Sequence, residues 1–118
     1  MTPLEKRTRF SFMLARLLLY MNENGYGFTV GEVYRSPEEA RRLYNLYKEG
    51  KGPRASLSSL HTKGQAVDIN LFKDGKYLAS IEAHRMFGDW WERQHSHCRW
   101  GGRYGDGNHY EFLDSPKQ

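Results

Sequence analysis

The stretch SSLHTKGQAVDIN, residues 58–70, passes from polar side chains into an apolar segment. Residues 66–72 predict a strand, and Asp68 lies inside it, where an unpaired carboxylate would be costly to bury. His61 precedes Asp68 by seven residues, and His109 opens another predicted strand. Because imidazole and carboxylate groups are common zinc ligands, these three residues are candidates for a metal site.

Two helices are predicted before this stretch. Thr2 and Glu5 have the spacing of a capping box, and the apolar residues that follow recur at helical spacing until the Asn-Gly pair at residues 24–25. Ser36 and the proline after it open a second helix, which stops at Gly50. The inner face of this second helix is expected to consist of Leu43, Tyr44 and Tyr47.

The remaining signals predict strands and a third helix. FTVGEVY, residues 28–34, predicts a strand, and the turn sequence KDGK, residues 73–76, predicts a short return strand near residues 77–79. A third helix is expected over residues 81–94, and HYEFL, residues 109–113, predicts a final strand. This order of elements predicts an α+β fold, a mainly antiparallel sheet flanked by about three helices, with the metal site on the sheet.

The composition indicates a small folded protein with a basic charge. The chain is long enough for one domain, residues 1–118, and 38% of its residues are hydrophobic. The net charge of +4 favours an anionic partner such as nucleic acid, a membrane surface or a bacterial wall polymer. The single Cys98 excludes an intramolecular disulfide. Arg16 interrupts the apolar run at residues 10–21, and no small-residue cleavage site follows, so we interpret this run as a helix of the mature fold rather than a signal peptide.

Three segments of the chain resemble the motifs of one family of zinc peptidases. Residues 59–68, SLHTKGQAVD, resemble the signature S-x-H-x-x-G-x-A-x-D. Residues 100–112, WGGRYGDGNHYEF, resemble a second motif, a W-G-G segment followed by an acid three residues before the last histidine. Residues 34–39, YRSPEE, resemble the arginine-bearing start of a helix. The family includes D-alanyl-D-alanine carboxypeptidases, vancomycin-resistance dipeptidases and the L-alanyl-D-glutamate endopeptidases of phage lysins.

The resemblance implies a role for each matching residue. It implies one zinc ion per chain, bound by His61, Asp68 and His109. It implies Asp106 as the general base, and Arg35 as the residue that stabilises the developing oxyanion or holds a substrate carboxylate. Ser59 would add a hydrogen bond to the substrate, although a serine in a loop also serves commonly as a local cap.

The acid at Asp106 bears on which bond is cut. Carboxypeptidases and dipeptidases of the family typically carry glutamate there, whereas aspartate is associated with the lysin endopeptidases. The resemblance therefore implies hydrolysis of the L-alanyl-D-glutamate bond of the peptidoglycan stem peptide by a phage or prophage lysin, with D-alanyl-D-alanine carboxypeptidase or dipeptidase activity as the alternative. We expect a monomer that is cytoplasmic before release and then acts on the cell wall, without membrane insertion and without a nucleic-acid partner.

Two other classes of protein stay open. A basic nucleic-acid-binding module without catalysis would explain the charge but not the spacing of His61 and Asp68. A zinc-binding adaptor or degenerate peptidase would keep the metal ligands without a base. His95, His97 and Cys98 lie together but lack a matching ligand pair nearby. We interpret them as a polar helix end, with histidines that contact terminal carbonyls, rather than as a second metal site.

Overall fold

The chain folds into three α-helices and a five-stranded sheet, and the computed structural model describes residues 1–118. The α-helices are α1 Pro3–Glu23, α2 Pro37–Lys48 and α3 Ile81–Gln94. Two 3-10 helices span Leu60–Lys63 and Gly101–Tyr104. The strands are β1 Gly27–Val30, β2 Ala66–Lys73, β3 Lys76–Leu78, β4 Cys98–Trp100 and β5 His109–Phe112.

Side-chain caps determine where the α-helices begin. The Thr2 hydroxyl accepts a hydrogen bond from the Glu5 amide at 3.1 Å, and the Thr2 amide donates to the Glu5 carboxylate at 2.8 Å. Ser36 and Ser80 cap the other two helices in the same way through their hydroxyl groups. These contacts satisfy amide groups that have no partner inside the helix. The caps at Thr2 and Ser36 agree with the predictions from the sequence.

The sheet is antiparallel at every pairing. Its strand order is β1-β2-β5-β4, and β3 pairs with β2 away from this path. The prediction of an α+β fold with a mainly antiparallel sheet and three helices is confirmed. None of the helices combines the length and the apolar character needed to cross a membrane.

The core lies on one face of the sheet, and the candidate site lies on the other. Along β2, Val67, Ile69 and Leu71 are fully buried, whereas Asp68 and Asn70 between them are only partly buried. Alternate strand residues point to opposite faces, so Asp68 projects away from the core. The apolar face is covered by α1 and α3, through Phe10, Met13, Leu17, Met21, Phe87 and Trp91.

Three details differ from the sequence-based predictions. The first strand ends at Val30 rather than residue 34, because the chain then turns past the site, where the Gly31 amide donates to the Asp68 carbonyl. Tyr47 is 39% exposed, because α2 lies at the periphery and buries only Ala40. Strand β4 was not predicted, since three residues are too few to display a period.

Candidate metal centre

His61 is held by a short 3-10 helix with a defined start and end. The Ser59 hydroxyl accepts a hydrogen bond from the His61 amide at 3.2 Å, and Gly64 ends the helix in the left-handed region at φ 67°. The His61 Nδ1 atom lies 3.0 Å from the Val33 carbonyl oxygen. A carbonyl only accepts hydrogen bonds, so Nδ1 carries the proton and Nε2 is left with a free lone pair.

Strand register brings Asp68 and His109 together. The two residues are directly opposite each other in the antiparallel pairing of β2 with β5, so their side chains share one face of the sheet. Asp68 Oδ1 lies 3.2 Å from His109 Nδ1 and 3.4 Å from His61 Nε2. The structure thus places two ring nitrogens and a carboxylate oxygen around one point.

The geometry of this cluster fits a zinc ion. One ligand atom from each of His61, Asp68 and His109 can be chosen so that all three lie within 4.8 Å of one another. Ligands at about 2.0–2.1 Å from a tetrahedral zinc ion are about 3.3 Å apart, close to the two contacts of Asp68. Two imidazoles and one carboxylate also form a ligand set typical of catalytic zinc, which keeps a fourth position open.

The three groups perturb one another electrostatically. Burial alone would raise the pKa of Asp68, but the neighbouring imidazoles of His109 and His61 outweigh it and hold that pKa well below its usual range. Burial opposes protonation of His109, but hydrogen bonds to Asp68 and Glu111 raise its pKa to about 9. The site therefore favours cations, because negative charge dominates its surroundings.

Asp106 lies next to this cluster on the loop that leads into β5. Its Oδ2 atom is 3.9 Å from His109 Nδ1, and half of its side chain is exposed. Burial of the other half raises the pKa of Asp106. Gly101 allows this loop to fold back, since a Cβ there would lie 2.4 Å from the Asp106 carbonyl oxygen. The W-G-G segment thus sets the backbone that carries the acid.

Arg35 borders the cluster but its guanidinium is paired elsewhere. Its amide donates to the His61 carbonyl at 3.0 Å, while its Nε donates to both Glu32 carboxylate oxygens at 3.1 and 3.2 Å. Glu32 Oε1 is itself 3.8 Å from His61 Nδ1. Arg35 is therefore adjacent to the cluster through the backbone, and its side chain is held by a neighbouring carboxylate.

Besides Glu32, two groups around the cluster were not identified from the sequence. One is the Val33 carbonyl, which no residue type could indicate. The other is Glu111, which is 4% exposed and has Oε1 at 2.7 Å from His109 Nε2. The spacing of two between His109 and Glu111 places both on the same face of β5, and this spacing was the available signal.

The histidines near the end of α3 form no metal cluster with Cys98. The rings of His95 and His97 pack against Phe112, with centroids 4.9 and 5.0 Å from it. Burial raises the pKa of the Cys98 thiol to about 12. The interpretation that the histidines contact the terminal carbonyls was wrong. The Lys117 ammonium instead donates to the carbonyls of Glu92, His95 and Cys98.

Solved structures share this fold at low sequence identity. The Serratia marcescens L-Ala D-Glu endopeptidase ChiX gives a TM-score of 0.63 at 20% identity, covering 85% of this chain and 77% of its own. A mutant of the vancomycin resistance D,D-pentapeptidase VanY from a VanB-type cassette, in complex with Zn(II), gives 0.55 at 20% identity, with 89% and 71% covered. VanYB in complex with D-alanine-D-alanine gives 0.57 at 20% identity, with 89% and 70% covered.

No family model and no curated protein matches the sequence. The likeness to these structures confirms the fold that the resemblance of the sequence motifs implies. The chain shares its fold with an L-Ala D-Glu endopeptidase and a D,D-pentapeptidase, and it carries a His-Asp-His cluster on its sheet.

Proposed function

We propose that the protein is a zinc-dependent peptidase that hydrolyses the L-alanyl-D-glutamate bond of the peptidoglycan stem peptide, as a phage or prophage lysin does. The observation that carries the proposal is the convergence of His61, Asp68 and His109, with the Asp106 carboxylate beside them. Zinc bound by the three ligands would supply Lewis acidity toward a peptide carbonyl and a water molecule.

In this proposal Asp106 is the general base, supported by its carboxylate lying 3.9 Å from His109 Nδ1. Its carboxylate would take a proton from the attacking water and later give that proton to the leaving amine. A raised pKa favours this role, because a more basic carboxylate holds a proton more readily between the two transfers. Arg35, once turned from Glu32, would stabilise the oxyanion that develops on the carbonyl oxygen.

Ser59 has a weaker claim to a role in substrate binding. Its hydroxyl is occupied as the cap of the 3-10 helix that carries His61. Its main effect in the proposed site is therefore on the orientation of a ligand.

The choice between the two peptidase activities depends on Asp106. Aspartate at this position favours the endopeptidase, and D-alanyl-D-alanine carboxypeptidase activity is the second candidate. The +4 charge would assist binding to an anionic envelope. A monomer that is cytoplasmic before release, with no nucleic-acid partner, agrees with this proposal.

Digestion of purified peptidoglycan distinguishes the candidates. We expect new amino-terminal glutamate and fragments that end in alanine, detected by mass spectrometry, with activity lost on chelation and restored by zinc. Release of free D-alanine without new amino termini would refute the endopeptidase and favour the carboxypeptidase. Inactivity together with a steeply salt-dependent shift of nucleic acid in a gel would favour the nucleic-acid-binding module instead.

A further inference from the structure

Glu111 is a buried carboxylate with no part in the mechanism described above. Its Oε1 atom lies 2.7 Å from His109 Nε2 and 3.2 Å from the Tyr104 hydroxyl. Its Oε2 atom accepts a hydrogen bond from Arg99 Nε at 2.5 Å. Every one of these partners can donate a hydrogen bond, which is the arrangement that an ionised carboxylate requires when it is buried.

The strand geometry explains why Glu111 reaches the far side of the His109 ring. His109 and Glu111 lie on the same face of β5, and Ala66, opposite Glu111 on β2, leaves space for the carboxylate. On the other side, Arg99 of β4 is opposite Glu111 and supplies a compensating charge. The His109 ring is thereby held between Asp68 at Nδ1 and Glu111 at Nε2.

The two histidines of the cluster are oriented by different kinds of group. The His61 ring is held by the neutral Val33 carbonyl, which leaves Nε2 facing the cluster. The His109 ring is held by a carboxylate, which leaves Nδ1 facing the cluster. A carboxylate acceptor fixes the ring and makes the imidazole a stronger electron donor than a carbonyl does.

We propose that Glu111 is the positioning residue that keeps His109 protonated at Nε2 and presents its Nδ1 atom to a divalent metal ion. This role rests on the proposed function, because it requires that His61, Asp68 and His109 bind zinc. In this role Glu111 would contact neither the substrate nor the metal. It acts through the orientation and basicity of one ligand.

Zinc affinity provides the first test, by competition with a chromophoric chelator on protein stripped of metal. Glu111→Ala should weaken zinc binding by about 10- to 100-fold, the usual cost of losing such a partner. Glu111→Gln should weaken it less, because the amide oxygen still accepts from Nε2–H. Glu92→Gln is the matched control, since Glu92 accepts from Arg103 and the Trp100 amide without contacting a ligand. Its affinity should stay within about twofold of wild type.

A magnetic resonance measurement separates positioning from a purely structural role. In the zinc-loaded wild type, the His109 Nε2 proton should be shifted downfield and exchange slowly with water. It should move upfield in Glu111→Gln and be lost to rapid exchange in Glu111→Ala. If Glu111 served only to stabilise the fold through its ion pair with Arg99, substituting Glu111 would leave the signal of the His109 Nε2 proton unchanged.

The outcomes also separate this proposal from the proposed function. A wild type that does not bind zinc refutes both. If the wild type binds zinc and both Glu111 variants bind it with the same affinity as the wild type, only the role of Glu111 is refuted. Should Glu111→Ala fail to fold, the comparison of Glu111→Gln with the wild type decides. Absence of a hydrogen-bonded His109 Nε2 proton in the zinc-loaded wild type would overturn the proposal.

Discussion

The side chains of Asp106 and His109 are neighbours that differ in how firmly they are held. The His109 ring is buried and bonded at both nitrogens. The Asp106 carboxylate is half exposed, 3.9 Å from that ring. Firm attachment suits a metal ligand, which must keep its geometry, whereas a less constrained carboxylate suits a group that gains and loses a proton in each turnover.

Substitution of these two residues should therefore have different consequences. Asp106→Asn keeps the shape of the side chain but cannot accept a proton, so peptidoglycan hydrolysis should fall by about 10²-fold or more while zinc content stays at one per chain. His109→Ala leaves two ligands, so zinc content and activity should fall together. Zinc analysis and hydrolysis assays on wild type and both variants measure the difference.

Two results would contradict these assignments. Near-normal turnover in Asp106→Asn would exclude Asp106 as the general base. Loss of zinc from the same variant would instead make Asp106 a ligand and require a new role for Asp68. A melting curve for each variant serves as the control for misfolding.

At this scale, the sequence predicts the cluster because each member carries its own signal. Asp68 interrupts an apolar strand, and the Gly-rich segment before His109 follows a family motif. Glu111 carries only its spacing of two from His109, which is a weak signal because an acid in a short terminal strand more often faces solvent. Only the pairing of β5 with both β2 and β4 reveals that it is buried.

Helix α3 and strand β4 approach each other so closely at Gly88 that no larger residue fits. A Cβ atom at Gly88 would lie 2.1 Å from the Trp100 ring. The Trp100 indole donates to the Gly107 carbonyl at 2.7 Å, so it also holds the loop that follows Asp106. The packing of the helix against the strand therefore also supports the loop beside the site.

Gly88→Ala should be strongly destabilising although it adds one methyl group. The new Cβ must displace a buried indole, which should lower the free energy of unfolding by about 1–3 kcal/mol. Met86→Ala is the control, because Met86 lies on the exposed side of the same helix and its loss should change stability by about 0.5 kcal/mol or less. Urea denaturation of both variants and wild type makes the comparison; equal midpoints would contradict the packing argument.

The elements that the sequence predicts well are those with caps or several periods. The predicted caps at Thr2 and Ser36 agree with the starts of α1 and α2, and the predicted helix over residues 81–94 agrees with α3. Strand β4 has neither signal, and its residues, Cys98 to Trp100, exist as a strand only through pairing with β5. Such edge strands are defined by tertiary contacts, which local sequence does not encode.

Distant parts of the whole molecule meet at Asp114. Its carboxylate accepts hydrogen bonds from Lys63 beside the site, from Lys6 on α1 at 3.0 Å and from the Gln65 amide at 3.3 Å. The hydrogen bond from Lys63, assisted by those from Lys6 and Gln65, lowers the pKa of Asp114 to about 2. Asp114 thus connects the segment after β5 to α1 and to residues 63–65.

Stability at acid pH should depend on this carboxylate. Because the folded pKa lies below the ordinary value of 3.8, Asp114 stabilises the fold above about pH 4, and this contribution is lost as the pH falls toward 2. Asp114→Asn should lower the melting temperature at pH 6, and the difference from wild type should shrink between pH 4 and 2. Added salt should reduce the difference, since the side chain is 39% exposed.

Other carboxylates titrate over the same range in both proteins, so only the difference between the two melting curves isolates Asp114. A difference that stays constant from pH 6 to pH 2 would show that the hydrogen bonds of Asp114 stabilise the fold independently of its charge.

The pairing of Asp68 with His109 across β2 and β5 also affects the order of events during folding. The two residues are 41 positions apart in the chain, so a folding chain must close a long loop before they meet. Until that closure, only His61 and Asp68 are near each other, and two ligands bind zinc weakly. Capture of a zinc ion at the proposed site would therefore belong to the late stages of folding. A bound ion should slow unfolding far more than it speeds folding, and so act chiefly by prolonging the lifetime of the native state.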